Sequence, residues 1–119
     1  MSVTQSAEQM KKRTKQFALR TIRLVQSLGA NDVARTLGKQ LLRSGTSVGA
    51  NYRAACRARS KAEFRSKLGI VEEECDESTY WMELLIEADL VKENLLSDLL
   101  NEADEILRIV VASIKTSRE

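Results

Sequence analysis

Glycines and cations share one stretch of this chain, and together they raise the question of phosphate chemistry. Residues 43–64 read RSGTSVGANYRAACRARSKAEF. Arg43, Arg53, Arg57, Arg59 and Lys61 lie along glycines, serines, threonines and alanines, with Arg65 just beyond. A nucleotide-cradling loop needs G-x-x-x-x-G-K-[ST] behind a strand. Here Gly45 and Gly49 are four apart, no lysine follows, and no strand pattern precedes them. The surrounding charge also excludes a membrane-helix small-x-x-x-small motif. The second place for chemistry is Glu72-Glu73-Glu74-Cys75-Asp76-Glu77. Carboxylate di-iron sites in helix bundles pair inward-facing glutamates with Glu-x-x-His motifs, and the chain has no histidine. Its two cysteines, Cys56 and Cys75, have no metal-ligand spacing. A hairpin turning near residue 60 sets Cys56 opposite about residue 64, so no disulfide to Cys75 is expected and a reducing cytoplasm fits. No catalytic residue, metal or cofactor is assigned, and an enzyme is not expected. Within the acidic run Glu74 lies closest to the apolar positions and is the carboxylate to watch.

The elements that position these residues read as helices. The chain has 119 residues, 4% aromatics, no proline and 30% charged residues, a profile for one all-helical domain. No 18-residue apolar run is present. The basic N-terminus faintly resembles a transit peptide, but its apolar period runs on into Leu28, so it reads as helix. Apolar residues recur at threes and fours throughout: Met10, Phe17, Leu24 and Leu28; then Val33, Leu37, Leu41, Val48 and Tyr52; then Phe64, Leu68, Val71, Cys75, Met82 and Leu85; then Leu99, Ala103, Ile106 and Val110. Asn31 can cap the second helix and Ser60-Lys61-Ala62-Glu63 is a capping box for the third. Ser97 before Asp98 suggests the start of the fourth. The expected fold is an antiparallel up-down four-helix bundle. Its helices span about 8–28, 32–59, 61–91 and 98–116, with residues 1–7 flexible. Leu68, Val71, Leu85, Ile106 and Val110 are expected in its core. Gly45 and Gly49 are expected to turn towards the third helix, near Cys75 and Val71. Tyr80-Trp81 reads as packing, with a polar edge outside.

Charge is divided between the halves. Residues 1–71 carry 15 Lys/Arg and 3 Asp/Glu, and residues 72–119 carry 4 and 14, so +12 stands against −10. Either basic helices neutralise acidic ones, within the chain or between subunits, or a basic surface is left for an anionic polymer.

The segment Leu37-Gly38-Lys39-Gln40-Leu41-Leu42-Arg43-Ser44-Gly45-Thr46-Ser47-Val48-Gly49-Ala50-Asn51-Tyr52-Arg53 looks like a family signature, as does Ala55-Cys56-Arg57-Ala58-Arg59-Ser60-Lys61-Ala62-Glu63-Phe64. With Lys67 to Val71, Glu74 to Glu77 and Tyr80 to Leu85, they resemble the bacterial four-helix bundle proteins encoded in intervening sequences of the 23S ribosomal RNA gene. That family is similar in turn to the accessory variability determinant of diversity-generating retroelements, a pentameric barrel with a basic surface that works with a reverse transcriptase and nucleic acid. One position departs from the pattern, which often has glutamate where Ala54 stands. The resemblance implies a homopentameric bundle and nucleic-acid binding, RNA or DNA; it does not imply an enzyme, and no catalytic residues carry over from it. The expected contacts are Lys39, Arg43, Arg53, Arg57, Arg59, Lys61 and Arg65, acting on phosphates with little base reading. The alternative is an interaction scaffold that binds a protein partner, such as a reverse transcriptase, or only itself; no membrane is involved.

Overall fold

The computed structural model describes residues 6–118. Four helices follow one another: α1 (Ala7–Ser27), α2 (Asp32–Cys56), α3 (Lys61–Glu87) and α4 (Glu93–Ser117). They form the expected all-α up-down bundle, 47 × 28 × 20 Å in extent. α2 packs between α1 and α3, α4 packs on α3, and a sparser α4–α1 seam closes the ring. The apolar stripes account for this arrangement. Leu68, Val71, Leu85, Ile106 and Val110 are buried as expected, together with Met10, Phe17, Leu41, Val48, Met82 and Leu96. Each such side chain contributes about 1.5–3 kcal/mol through burial.

Helix ends follow local chemistry. Asn31 caps α2, its Oδ1 accepting from the Ala34 N–H at 2.9 Å. Ser60 caps α3, its Oγ accepting from the Glu63 N–H at 3.0 Å. The Glu63 carboxylate reaches one residue beyond the expected box and accepts from the Arg59 N–H at 2.6 Å. Ser6 begins α1 with a full capping box, exchanging hydrogen bonds with Gln9 at 2.9 and 3.1 Å. Ser6 is thus the N-cap of α1 and Ala7 its first residue; the rest of the segment expected to be flexible, residues 1–5, lies outside the described residues. α3 stops at Glu87, earlier than expected, in a Schellman turn. There Asp89 takes a positive φ of 59° and the Leu90 N–H bonds the Leu85 carbonyl at 3.0 Å. α2 stops at Cys56, with the Arg57 and Ala58 amides bonding back three residues.

Two expectations need correction. α4 starts at Glu93, not Asp98, and its N-cap residue Lys92 provides no side-chain bond. Leu96 is fully buried, so its turn must already be helical for it to join Leu99, Ala103 and Ile106 in the core. The glycines face α1, not α3. A Cβ on Gly45 would sit 2.7 Å from Thr21 Cγ2, one on Gly38 2.9 Å from Leu28 Cδ1, and one on Gly49 3.3 Å from the Thr14 backbone. A hairpin register gives the level of a residue but not its side of the helix. The residue that meets α3 is Ser44, one position (about 100°) from Gly45, with its Oγ 2.9 Å from Ser78 Oγ.

Candidate nucleic-acid interface

Antiparallel packing gathers one end of the bundle from four separate stretches of sequence. Gly49 lies against Thr14 and Gly45 against Thr21, so the end of α2 runs level with the start of α1. Arg65 Nη1 donates to the Ser117 carbonyl at 3.0 Å, so the start of α3 runs level with the end of α4. Arg53, Arg57, Arg59 and Lys61 therefore share one end with Lys11, Lys12 and Lys15 of α1, Lys67 of α3, and Lys115 and Arg118 at the end of α4. Among the described residues, Glu63 at this end engages the turn backbone and Glu8 pairs with Lys11 at 3.3 Å. Glu102 and Glu105, level with Lys12 and Lys15, pair with Arg13. The lysines of α1 and the cations of α4 were missed because they lie far away in sequence. The up-down topology, expected from the start, was the signal that could have found them.

The seven expected contact residues are not all equivalent. Arg53, Arg57, Arg59 and Lys61 are exposed and have no ion pair among the described residues. Arg65 belongs to the same end but is half-buried, with its guanidinium on Ser117. Lys39 is exposed near the other end of α2, about 21 Å along the axis from Arg53 at 1.5 Å per residue. Arg43 lies between them and is engaged by α3. It bonds both oxygens of Glu74 at 3.2 Å and also Glu77. Glu77 in turn accepts from Trp81 Nε1 at 3.1 Å. The hydrogen bond from Arg43 holds the Glu77 carboxyl below its usual range. Glu74, only 16% exposed, is thus the anchor of a cross-helix ion pair. Tyr80 stands half out of the surface, edge-on to Trp81 at 5.1 Å.

A second ion-pair cluster holds the α1–α4 seam. Arg13 Nε donates to Glu102 at 2.7 Å, and its Nη2 reaches Glu102 at 2.9 Å and Glu105 at 3.1 Å. Arg13 and Arg43 are the two cations of residues 1–71 that pair with acids of residues 72–119 among the described residues. Pairing within the chain therefore leaves most of the charge division standing. Both cysteines are free, Cys75 in the core and Cys56 half-buried. No three potential ligands gather as a metal site among the described residues. No helix of the described chain is long and apolar enough to cross a membrane.

The architecture is that of an all-α four-helix bundle protein. Residues 7–112 match the family model described as 23S rRNA-intervening sequence protein, and the chain belongs to that family. It is also similar to a crystal structure from Bacteroides thetaiotaomicron, described as a protein with unknown function from the S23 ribosomal protein family. That likeness has a TM-score of 0.86 at 36% identity and covers 92% of this chain and 97% of the other. Neither description carries an enzymatic activity. Comparison with curated proteins gives no match.

Proposed function

We propose that the protein is a non-enzymatic bundle that binds nucleic acid through its basic end. One observation carries the reading: Arg53, Arg57, Arg59 and Lys61 are exposed at one end of the bundle, and none is paired with an acid among the described residues. Such a group attracts phosphates by charge and releases their counterions, and arginine's planar fork can hold a phosphate by two hydrogen bonds. No exposed aromatic ring lies in this group, so binding falls on the phosphate backbone and discriminates little between sequences. Changing Arg53, Arg57 and Arg59 together to glutamine should preserve helical content and weaken binding to unrelated sequences by a similar factor. The slope of log affinity on log salt should also flatten, by about 0.9 for each duplex-DNA phosphate that is no longer neutralised. Arg43→Gln should change binding far less, because its charge is already held by Glu74 and Glu77. Equal affinities and salt slopes for wild type and triple variant would overturn the reading.

Self-assembly is the second reading, and the other surface favours it. Glu73, Asp76 and Glu83 are exposed on α3 without ion pairs among the described residues. A head-to-tail ring would lay that surface against the basic side of the next copy; the number five comes from the resemblance to the pentameric relative. Sedimentation at low salt and micromolar concentration is expected to give a closed oligomer, and a monomer would defeat this reading.

A further inference from the structure

The cations of the basic end do not form a row. α2 packs on α1 and α3, and α4 packs on the same two helices, so α2 and α4 occupy opposite corners of the bundle. At this end one corner carries Arg53 and Arg57, and the other carries Lys115 and Arg118. All four are exposed and have no ion pair among the described residues. No acid lies between Glu105 and Arg118. Neighbouring helix axes in a bundle lie about 8–10 Å apart, which sets opposite corners about 11–14 Å apart before the side chains extend. No aromatic ring is offered between these corners. Tyr52 is buried, and Phe64 is half-buried against the core. Tyr80 and Trp81 lie about 28–30 Å along α3 from Lys61, at 1.5 Å per residue.

We propose that the ligand of this end is a B-form double helix held on both of its phosphate backbones, which rests on the nucleic-acid binding proposed above and names the form of the ligand. A single strand presents one line of phosphates. That line can pass one corner and the turn, but it leaves the other corner empty unless it doubles back. A duplex presents two lines, and in the B form they flank a major groove about 12 Å wide. The corner spacing matches that width. Arg53 and Arg57 meet one backbone, and Lys115 and Arg118 meet the other across the groove. Charge density favours the same ligand, since a duplex carries about one charge per 1.7 Å of axis, twice that of either strand. Proteins that hold single strands add aromatic side chains on which the bases stack, and this end offers none.

The test titrates the whole protein, by fluorescence anisotropy at several salt concentrations, against labelled probes of one mixed sequence. The probes are a DNA duplex of about 14 base pairs, roughly 48 Å at 3.4 Å each, its two strands singly, and the matching RNA duplex. The DNA duplex should bind at least about tenfold more tightly than either strand. It should also bind more tightly than the RNA duplex, whose A-form major groove is deep and narrow. The double variant Lys115→Gln with Arg118→Gln, at exposed positions, should keep its circular dichroism. It should bind the DNA duplex about tenfold more weakly, with a log–log salt slope flatter by about 1.8, or 0.9 for each lost contact. Its binding of single strands should change far less. Strands or RNA duplex bound as tightly as the DNA duplex would overturn the proposal and leave the basic end a nucleic-acid site. Equal losses for duplex and strand in the α4 variant would do the same. Were the Arg53, Arg57 and Arg59 triple variant to bind every probe as wild type does, nucleic-acid binding at this end would fall as well.

Discussion

Cys75 shows how a single buried side chain responds to pH. It lies in the core with no exposure. Burial first, and the neighbouring carboxylates of Asp76, Glu102, Glu72 and Glu74 second, push its thiol up to about 12. The unfolded chain ionises a cysteine near about 8.5. The folded state therefore holds the proton longer, and stability is complete below the unfolded value and declines as pH rises towards the folded one. The expected loss approaches about 1.4 kcal/mol per pH unit in that window. Urea midpoints measured from pH 8 to pH 11 should fall more steeply for wild type than for Cys75→Ala. A residual fall above pH 10 is expected from Tyr52, whose hydroxyl burial also raises to about 12. Identical pH profiles for the two proteins would show that Cys75 titrates in the folded state as it does in the unfolded one. Glu77 works in the opposite direction. Arg43 lowers its pKa, so the stability this pair provides is present at neutral pH and fades on acidification. With Arg43 nearly half exposed, that contribution is small.

The glycines separate two effects at the level of the helix. In an open helix interior, alanine is more favourable than glycine by about 1 kcal/mol. Gly69 lies within α3 with nothing near its missing Cβ, so Gly69→Ala should stabilise the protein by that amount. At Gly45 the added methyl would meet Thr21 at 2.7 Å. Thr21 is buried and its hydroxyl is tied to the Phe17 carbonyl at 2.8 Å, so it cannot easily give way. Gly45→Ala should therefore destabilise by about 1–3 kcal/mol. Chemical unfolding of the two variants gives the comparison, and a stabilised Gly45→Ala would show that α1 moves away at little cost. Most of this architecture was legible in the sequence. The stripe from Leu68 to Leu85, the caps at Asn31 and Ser60, and the special place of Glu74 follow from helical spacing alone. Which neighbour the glycines face did not, because α2 packs on two helices and a spacing rule does not separate them. The start of α4 was hidden because Leu96 overrides a good capping residue at Ser97. The basic end was read only in part, since a contiguous stretch shows Arg53 to Lys61 but not the α1 lysines brought beside them by folding.

For the whole molecule, the charge division follows from topology. α1 and α2 are the basic pair and α3 and α4 the acidic pair, and the up-down order sets the pairs side by side. The end shared by the α2–α3 turn is strongly basic, while the opposite end is mixed, with exposed Asp32, Glu87, Asp89, Glu93 and Asp98 against Arg23, Arg35, Lys39 and Lys92. The bundle is therefore polarised across its width and along its length. A polyanion approaching it should meet the α2–α3 turn first, and such steering speeds association and weakens as salt rises.

The exposed turn between α2 and α3 also lies at a boundary between two oppositely charged hairpins. Cut between Arg59 and Ser60, the chain gives a fragment with 12 Lys/Arg and 2 Asp/Glu and another with 7 and 15, so +10 and −8. Each fragment alone leaves one side of a shared apolar core uncovered, and each is soluble only through charge of a single sign. Mixed, the two are mutually attracted polyelectrolytes whose joining restores the Arg13 and Arg43 clasps and buries Leu41, Val48, Leu68 and Ile106 together. The protein should therefore work as a split pair that reassembles on mixing. Stopped-flow circular dichroism should record helix recovered at a rate that rises with fragment concentration and drops as sodium chloride is added. A rate indifferent to salt would mean that apolar collision alone brings the halves together.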